Sequence, residues 1–250
     1  MSNDFILWSN RELIWTLEKW GILSFNSLRK VSDSNLTVDG FRKRIYRLAK
    51  QDYVKILKNN MRGESLVLPT KKALDSIKSN RPSIDETIVY HNFILSEIGI
   101  VLLNRKKVFS FVFPHEIAKS KKPMSFDNSI EPDAILAMEL RGETVSAAVE
   151  LEITQKSKDR ITDKFKAYYS SNYYACVIYF FDSNRVMNSY INTYNECINE
   201  KIININSAQE GKIMFCLIDP EKISNLKIED WKATVGTTTF NIEAIFGEKK

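Results

Sequence analysis

The chain of 250 residues is 44% hydrophobic and 27% charged. That balance suits a folded protein with a core of its own and excludes a disordered or fibrous one. The opening Met1-Ser2-Asn3-Asp4 lacks the basic, then apolar, stretch of a secretory signal. The longest apolar run, 173–181, is far shorter than the roughly 20 residues a membrane helix needs, so a cytoplasmic protein with no membrane partner is expected. The formal charge of +5 is unevenly spread: residues 1–80 carry 15 Lys/Arg against 8 Asp/Glu, net +7, and the rest carry 21 against 23, net −2. A basic small module beside a slightly acidic larger one points to a polyanion as partner of the first part.

Asn10 is placed to cap a helix reaching Trp20, with Leu13, Ile14, Leu17 and Trp20 at helical spacing and Gly21 as its stop. A short second helix is expected from Asn26 or Ser27. Thr37 opens a third that runs to about Gln51. Its inner stripe is Phe41, Ile45, Leu48 and Ala49, and Arg42, Lys43, Arg44, Arg47 and Lys50 lie largely outside it. The period then changes to that of strands: 53–57 reads as a strand, 59–64 as a turn, 65–68 as the returning strand, and 71–78 as a helix. Three helices followed by a two-stranded ribbon is the winged-helix order, in which the third helix enters the DNA major groove. Lys58 and Arg62 would then belong to a wing tip that reaches phosphates or the minor groove. A protein-interaction domain with a solvated basic helix fits the same pattern; the density of Arg and Lys on the third helix favours DNA.

A polar, Pro-containing stretch at 79–83 reads as a linker between an N-terminal domain, 1–80, and a second, 84–250. From Asp85 a mostly buried helix is expected to about Asn104, followed by a strand at 108–113 and a basic loop at 119–122. The segment from Glu131 to Ile153 reads as a strand, a tight turn at Arg141-Gly142 and a second strand. With a two-residue loop, Leu140 faces Glu143 and Asp133 falls opposite Glu150. Directly opposed Cβ atoms lie about 4.5–5.5 Å apart, where two like charges repel unless a cation or a proton sits between them. Alternation puts Glu152 on the face of Glu150. Three convergent carboxylates suit Mg²⁺ or Mn²⁺, hard ions that prefer oxygen, and such an ion activates water for attack on a phosphate. A polar strand face turned to solvent is the other reading, but the flanking Ala147, Ala148, Val149, Leu151 and Ile153 look buried, where an unpaired carboxylate is costly.

A helix to about Ser170 follows, with Ile161, Phe165 and Tyr168 or Tyr169 facing inward and Lys156, Lys158, Arg160, Lys164 and Lys166 around the acidic cluster. Strands at 174–181 and 212–218 flank a helix at 185–200, and 237–246 is expected to add a last strand. The predicted order, α-β-β-β-α-β-α-β, describes an α/β (α+β) protein with a mixed sheet and helices on both faces. Cys176, Cys197 and Cys216 are odd in number and lack C-x-x-C spacing, and Cys176 and Cys216 read as core residues of strands. No phosphate-loop, dinucleotide-binding or nucleophile-elbow motif occurs among only 8 glycines, which speaks against small-molecule metabolism.

Pro132-Asp133, then Glu150-Leu151-Glu152, then a helix, resembles the PD-(D/E)xK nuclease core. With Tyr90-His91-Asn92 before it and Lys164-Phe165-Lys166-Ala167-Tyr168 after it, the order is similar to that of the replication-relaxation family of plasmid and integrative-element proteins, which includes MobC-type relaxases. The similarity covers about residues 10–180. It implies a winged helix joined to a PD-(D/E)xK restriction-endonuclease-like domain that nicks or cleaves DNA, with Asp133, Glu150 and Glu152 holding Mg²⁺ or Mn²⁺. Glu152 stands where the general motif has Lys, the residue that offsets transition-state charge. Lys164, or Lys156, is the expected replacement. His91 is a candidate base or hydrogen-bond partner of a carboxylate, with a structural role as the alternative, and Tyr168 a candidate nucleophile with core packing as its alternative. The implied partners are double-stranded DNA (single-stranded at the nick), a second copy of the chain, and conjugation or transposition proteins. A non-catalytic DNA-binding regulator or relaxosome accessory protein with a degenerate nuclease fold is the competing expectation.

Overall fold

The computed structural model describes residues 8–32, 34–58, 65–117, 130–205, 209, 211–219, 228–236 and 238–250. Packing divides the chain into two compact units, Met1–Ile100 and Val101–Lys250.

The first unit begins with α1 (Trp8–Trp20), a two-residue β1 (Leu23–Ser24), α2 (Phe25–Val31) and α3 (Val38–Lys50). The ribbon β2 (Val54–Leu57) and β3 (Leu66–Pro69) and the short α4 (Lys71–Ser76) follow. Three of these helix starts have a chemical reason: the hydroxyls of Ser24, Thr37 and Thr70 accept the backbone N–H of Ser27, Gly40 and Ala73, satisfying donors that the first turns of α2, α3 and α4 leave open. Helix α2 therefore begins one or two residues earlier than its sequence suggested. The core collects Leu13, Ile14 and Leu17 from α1, Leu28 from α2, and Phe41, Ile45 and Leu48 from α3, each at most 1% exposed. The sheet order is β1-β3-β2, all antiparallel; β1 is too short to show in a sequence pattern.

The stretch at 79–83 is not a free linker. Arg81 donates through Nη1 to the carbonyls of Glu18 and Lys19, 2.6 and 2.7 Å away, closing the C-terminal end of α1. Gly21, at φ +78, makes room for this contact, since a Cβ there would lie 2.2 Å from Arg81 Nη2. Beyond it a 3₁₀ turn, Glu86–Ile88, leads into α5 (Val89–Leu103), where Ser96 bonds the carbonyl of Trp20 at 2.6 Å. These contacts tie Arg81 and Ser96 to the C-terminal end of α1.

The second unit is built on a seven-stranded sheet of order β10-β9-β8-β7-β6-β5-β4. Its elements are β4 (Val108–Val112), α6 (Pro114–Ile117), β5 (Ala134–Leu140), β6 (Glu143–Glu152), α7 (Lys158–Ser170), β7 (Cys176–Phe181), α8 (Asn184–Asn199) and β8 (Ile213–Leu217). A second 3₁₀ turn (Ile228–Asp230), β9 (Lys232–Val235), β10 (Thr238–Asn241) and α9 (Glu243–Phe246) complete it. Strands β4, β5 and β6 form an antiparallel meander, and β7 and β8 then add in parallel. Sequence reasoning expected one strand across 237–246; the chain instead makes a β9–β10 hairpin and a short helix, because Gly236 turns the chain at φ +57 and Asn241 accepts the Glu243 N–H to start α9. The basic loop at 119–122 lies outside the described residues. The crossover helices α7 and α8 bury Phe165, Tyr168, Tyr190 and Tyr194 against Ala148, Val177, Tyr179, Phe181 and Phe215 of the sheet in one core.

The β5–β6 turn is the two-residue loop expected from sequence. Arg141 and Gly142 both have positive φ, 54 and 83, the backbone of a type I′ turn, whose twist matches that of the strands it joins. Leu140 pairs with Glu143 and the ladder runs in register to Ala134 opposite Val149.

Candidate functional site: a buried carboxylate cluster

The hairpin register puts Asp133, one residue before β5, next to the Ala134–Val149 pair and so across from Glu150. The Leu151 N–H donates to Asp133 Oδ2 at 2.8 Å, tying that carboxylate to β6. In the parallel pairing with β7, Glu150 stands opposite Tyr179 and Glu152 opposite Phe181. Alternation points both glutamates to the face that α7 and α8 cover, and the core there is aromatic. Glu150 is 0% exposed and Glu152 5% exposed. Two carboxylates in an apolar core need partners.

The partners come from the two helices. Lys164, on the inner side of α7, brings its Nζ to 2.6 Å from Glu150 Oε2 and 3.9 Å from Glu152 Oε1. One turn on, at i+4, the Tyr168 hydroxyl donates to the other oxygen of Glu150. Tyr190 of α8 donates its hydroxyl to Glu152. Helix α7 starts in the right place because Ser157 caps it, accepting the Arg160 N–H. Its apolar stripe of Ile161, Phe165, Tyr168 and Tyr169 then fixes the rotation that aims Lys164 inward. Tyr179 and Tyr190 meet Phe165 edge-to-face, Tyr168 meets Tyr179 edge-to-face with centroids 6.3 Å apart, and Tyr190 lies tilted against Tyr179 at 5.8 Å.

The electrostatics follow from burial. Desolvation, and then the charge of Asp133, push the Glu150 carboxyl from 4.5 up to about 8, against the opposing pull of Lys164. Glu152 is raised too, mainly by burial, with Asp133 adding to the rise. Burial draws the Lys164 ammonium down, but the Glu150, Asp133 and Glu152 charges outweigh it and hold it above its ordinary value. Burial, then Glu150, drive Tyr168 far up, which keeps it a phenol that donates to Glu150. The Tyr179 hydroxyl is fully buried within range of all three carboxylates and has no hydrogen-bond partner among the described residues.

This donor set fits a hard divalent cation in its chemistry. The donors are all oxygen, Asp133 raises both glutamates, and a buried orphan hydroxyl lies beside them. As the side chains stand, Lys164 supplies the positive charge, and among the described residues no three Asp, Glu, His or Cys side chains form a ready ligand group.

Other residues singled out in the sequence are spread more widely. Lys156 is close enough to lower the Glu152 carboxyl but bonds Thr154 Oγ1 at 3.2 Å. Lys158 pairs with Glu196 at 2.7 Å and Lys166 lies 3.8 Å from Asp163. His91 is half-buried in the first turn of α5. On α3, Arg42, Lys43, Arg47 and Lys50 are exposed, with the exposed Tyr46 among them. Arg44 is set apart from them: it is half-buried and its Nε donates to Asn10 Oδ1 at 2.9 Å, so its charge serves the α1–α3 contact. Lys58 is exposed at the end of β2, and Arg62 lies outside the described residues. Cys176 and Cys216 are buried in β7 and β8.

Sequence reasoning missed Tyr179 and Tyr190 and the hydrogen bond of Tyr168. The legible signal was the run of tyrosines on an otherwise core-forming stripe, Tyr190 and Tyr194 on α8 and Tyr168 and Tyr169 on α7. A hydroxyl in such a position needs a partner, and the acids on the buried half of the facing β6 are Glu150 and Glu152. No helix of the described residues is long and apolar enough to cross a membrane. In comparisons with known proteins, no family model matches this chain, no curated protein matches its sequence, and no solved structure matches its fold.

Proposed function

We propose that this protein acts on DNA as a metal-dependent endonuclease of the replication-relaxation type, a winged-helix module joined to a PD-(D/E)xK-like domain of a mobile element. The observation that carries the reading is the pairing of Asp133 and Glu150 across a register-locked hairpin with Lys164 delivered to Glu150 by the next helix. The order α5-β4-α6-β5-β6-α7-β7, a meander extended by a parallel strand, supports the same reading, as does the α1-β1-α2-α3-β2-β3 order of the first unit with its β1-β3-β2 sheet.

Asp133, Glu150 and Glu152 are the residues that would hold Mg²⁺ or Mn²⁺, which when bound supplies an activated water and offsets charge on the phosphate. Tyr168 and Tyr190 orient Glu150 and Glu152 through their hydroxyls. Lys164 replaces in space the lysine that Glu152 displaces from the motif, offering a cation to the negative charge that builds up in cleavage. The exposed Arg42, Lys43, Arg47 and Lys50 of α3 present a basic face suited to the phosphates of a duplex groove.

The test is conversion of supercoiled plasmid to open circle with Mg²⁺ or Mn²⁺. Wild type is expected to nick and Asp133→Ala and Glu150→Ala to lose nicking while still binding duplex; nicking retained by either variant removes that residue from the site. A second reading, a DNA-binding regulator or relaxosome accessory protein that does not cut, draws on Lys164 already occupying one oxygen of Glu150. Tight DNA binding without cleavage under any divalent metal selects it.

A further inference from the structure

We propose that Lys164 is a built-in counter-ion that competes with a divalent metal for Glu150, so that metal loading requires the Lys164–Glu150 pair to open. The proposal rests on reading the cluster as a metal site and adds a control on its loading.

Both oxygens of Glu150 are engaged, Oε2 by Lys164 at 2.6 Å and Oε1 by the Tyr168 hydroxyl. Asp133 spends one oxygen on the Leu151 N–H. The cluster is thus satisfied by the chain alone, and a cation entering it meets a resident ammonium that also lies 3.9 Å from Glu152. Two positive charges within a few ångströms repel strongly where water is scarce.

The two partners differ in freedom. Glu150 sits in the middle of the sheet between β5 and β7, with a side chain 1% exposed. Lys164 is anchored only through α7, and its side chain is 33% exposed on a flexible stem. Lys164 is therefore the one that moves. Swung outward, its ammonium reaches solvent, where a phosphate of bound DNA gives it a new partner. Binding of the polyanion and of the metal then favour each other, because each relieves what the other needs removed, and such coupling is reciprocal.

The experiment is Mn²⁺ titration by calorimetry of the full chain, with tyrosine-sensitised Tb³⁺ luminescence as an independent readout. Lys164→Met is expected to bind Mn²⁺ at least tenfold more tightly than wild type, and Lys164→Arg to stay close to wild type. A short duplex is expected to tighten Mn²⁺ binding to wild type but not to Lys164→Met. Equal or weaker binding by Lys164→Met, with wild-type binding that Glu150→Gln abolishes, overturns the role of Lys164 and leaves the metal site standing. Binding insensitive to Glu150→Gln, or no binding by wild type and Lys164→Met alike, overturns the metal reading and the proposal with it. Should Lys164→Met not fold, Lys164→Gln keeps a polar head at that place and carries the same prediction.

Discussion

Replacing Glu150 with glutamine in the metal-free protein is expected to raise its stability at neutral pH. The buried carboxyl titrates at about 8 instead of 4.5 because burial, then Asp133, disfavour its charge. Below the unfolded value the group is protonated in both states and makes no difference. As pH rises through the window between 4.5 and about 8, the unfolded chain gives up its proton while the folded one keeps it, so stability falls with pH. At about 1.4 kcal/mol per pH unit the full swing is about 5 kcal/mol, of which about 3 kcal/mol is already lost at pH 7. Glutamine has the same shape, cannot ionise, and still offers an oxygen to Tyr168. Weakening the Lys164 pair subtracts up to about 1 kcal/mol, since that side chain is a third exposed. A net gain of about 2 kcal/mol at pH 7 corresponds to a Tm rise of several degrees for a unit of this size. The raised Lys164 value adds no slope here, because its stabilisation is lost only as pH rises past its ordinary value near 10.5. The assay is thermal and urea unfolding in a chelator from pH 5 to pH 9. A wild type that gains stability over that range, or a Glu150→Gln protein with the same slope as wild type, refutes the reasoning.

The aromatic core over the sheet gives a second expectation. Phe165 is fully buried and meets Tyr179, Tyr190, Tyr194 and Phe215 edge-on, so Phe165→Ala should cost about 3–5 kcal/mol by urea unfolding; a loss below about 1 kcal/mol would contradict that packing. On α3, the double variant Arg42→Ala/Arg47→Ala should weaken duplex binding and flatten its salt dependence by about two phosphate contacts while leaving Tm in place. Arg44→Ala should do the reverse, lowering stability through its lost bond to Asn10 with little change in the salt slope. Tyr190→Phe removes the donor to buried Glu152, and a loss of about 1–3 kcal/mol in stability is expected, with no change expected at the adjacent Tyr194 contacts by near-ultraviolet spectra.

Much of the site was legible because its geometry is set by counting. Given a two-residue turn at Arg141-Gly142, the position of Asp133 relative to Glu150 follows from strand arithmetic, and the structure has that register. Lys164 was legible only as one of two lysines, with Lys156, expected to stand in for the motif's lysine; the structure brings Lys164 to Glu150. The tyrosine partners were not legible, because an aromatic at a buried helical position looks the same in sequence whether or not its hydroxyl has a task. The hold of Arg81 on two carbonyls of α1 was hidden, since its stretch reads as linker. The β9–β10 hairpin escaped because its strands are short and mostly polar, and their pairing is decided by β8 rather than by their own pattern.

The turn at Arg141-Gly142 lies seven paired rungs from the acids, about 24 Å at about 3.4 Å per residue. Surface hairpin tips are ordinarily where a chain tolerates insertions best. Here the ladder behaves as a ruler that carries the tip's length to the cluster. One added residue that slid the strands would turn one acid of the Asp133–Glu150 pair to the opposite face of the sheet. An exposed loop remote from any chemistry is thus expected to be among the least forgiving places in the molecule, tolerant of changes in side chain but not of changes in length.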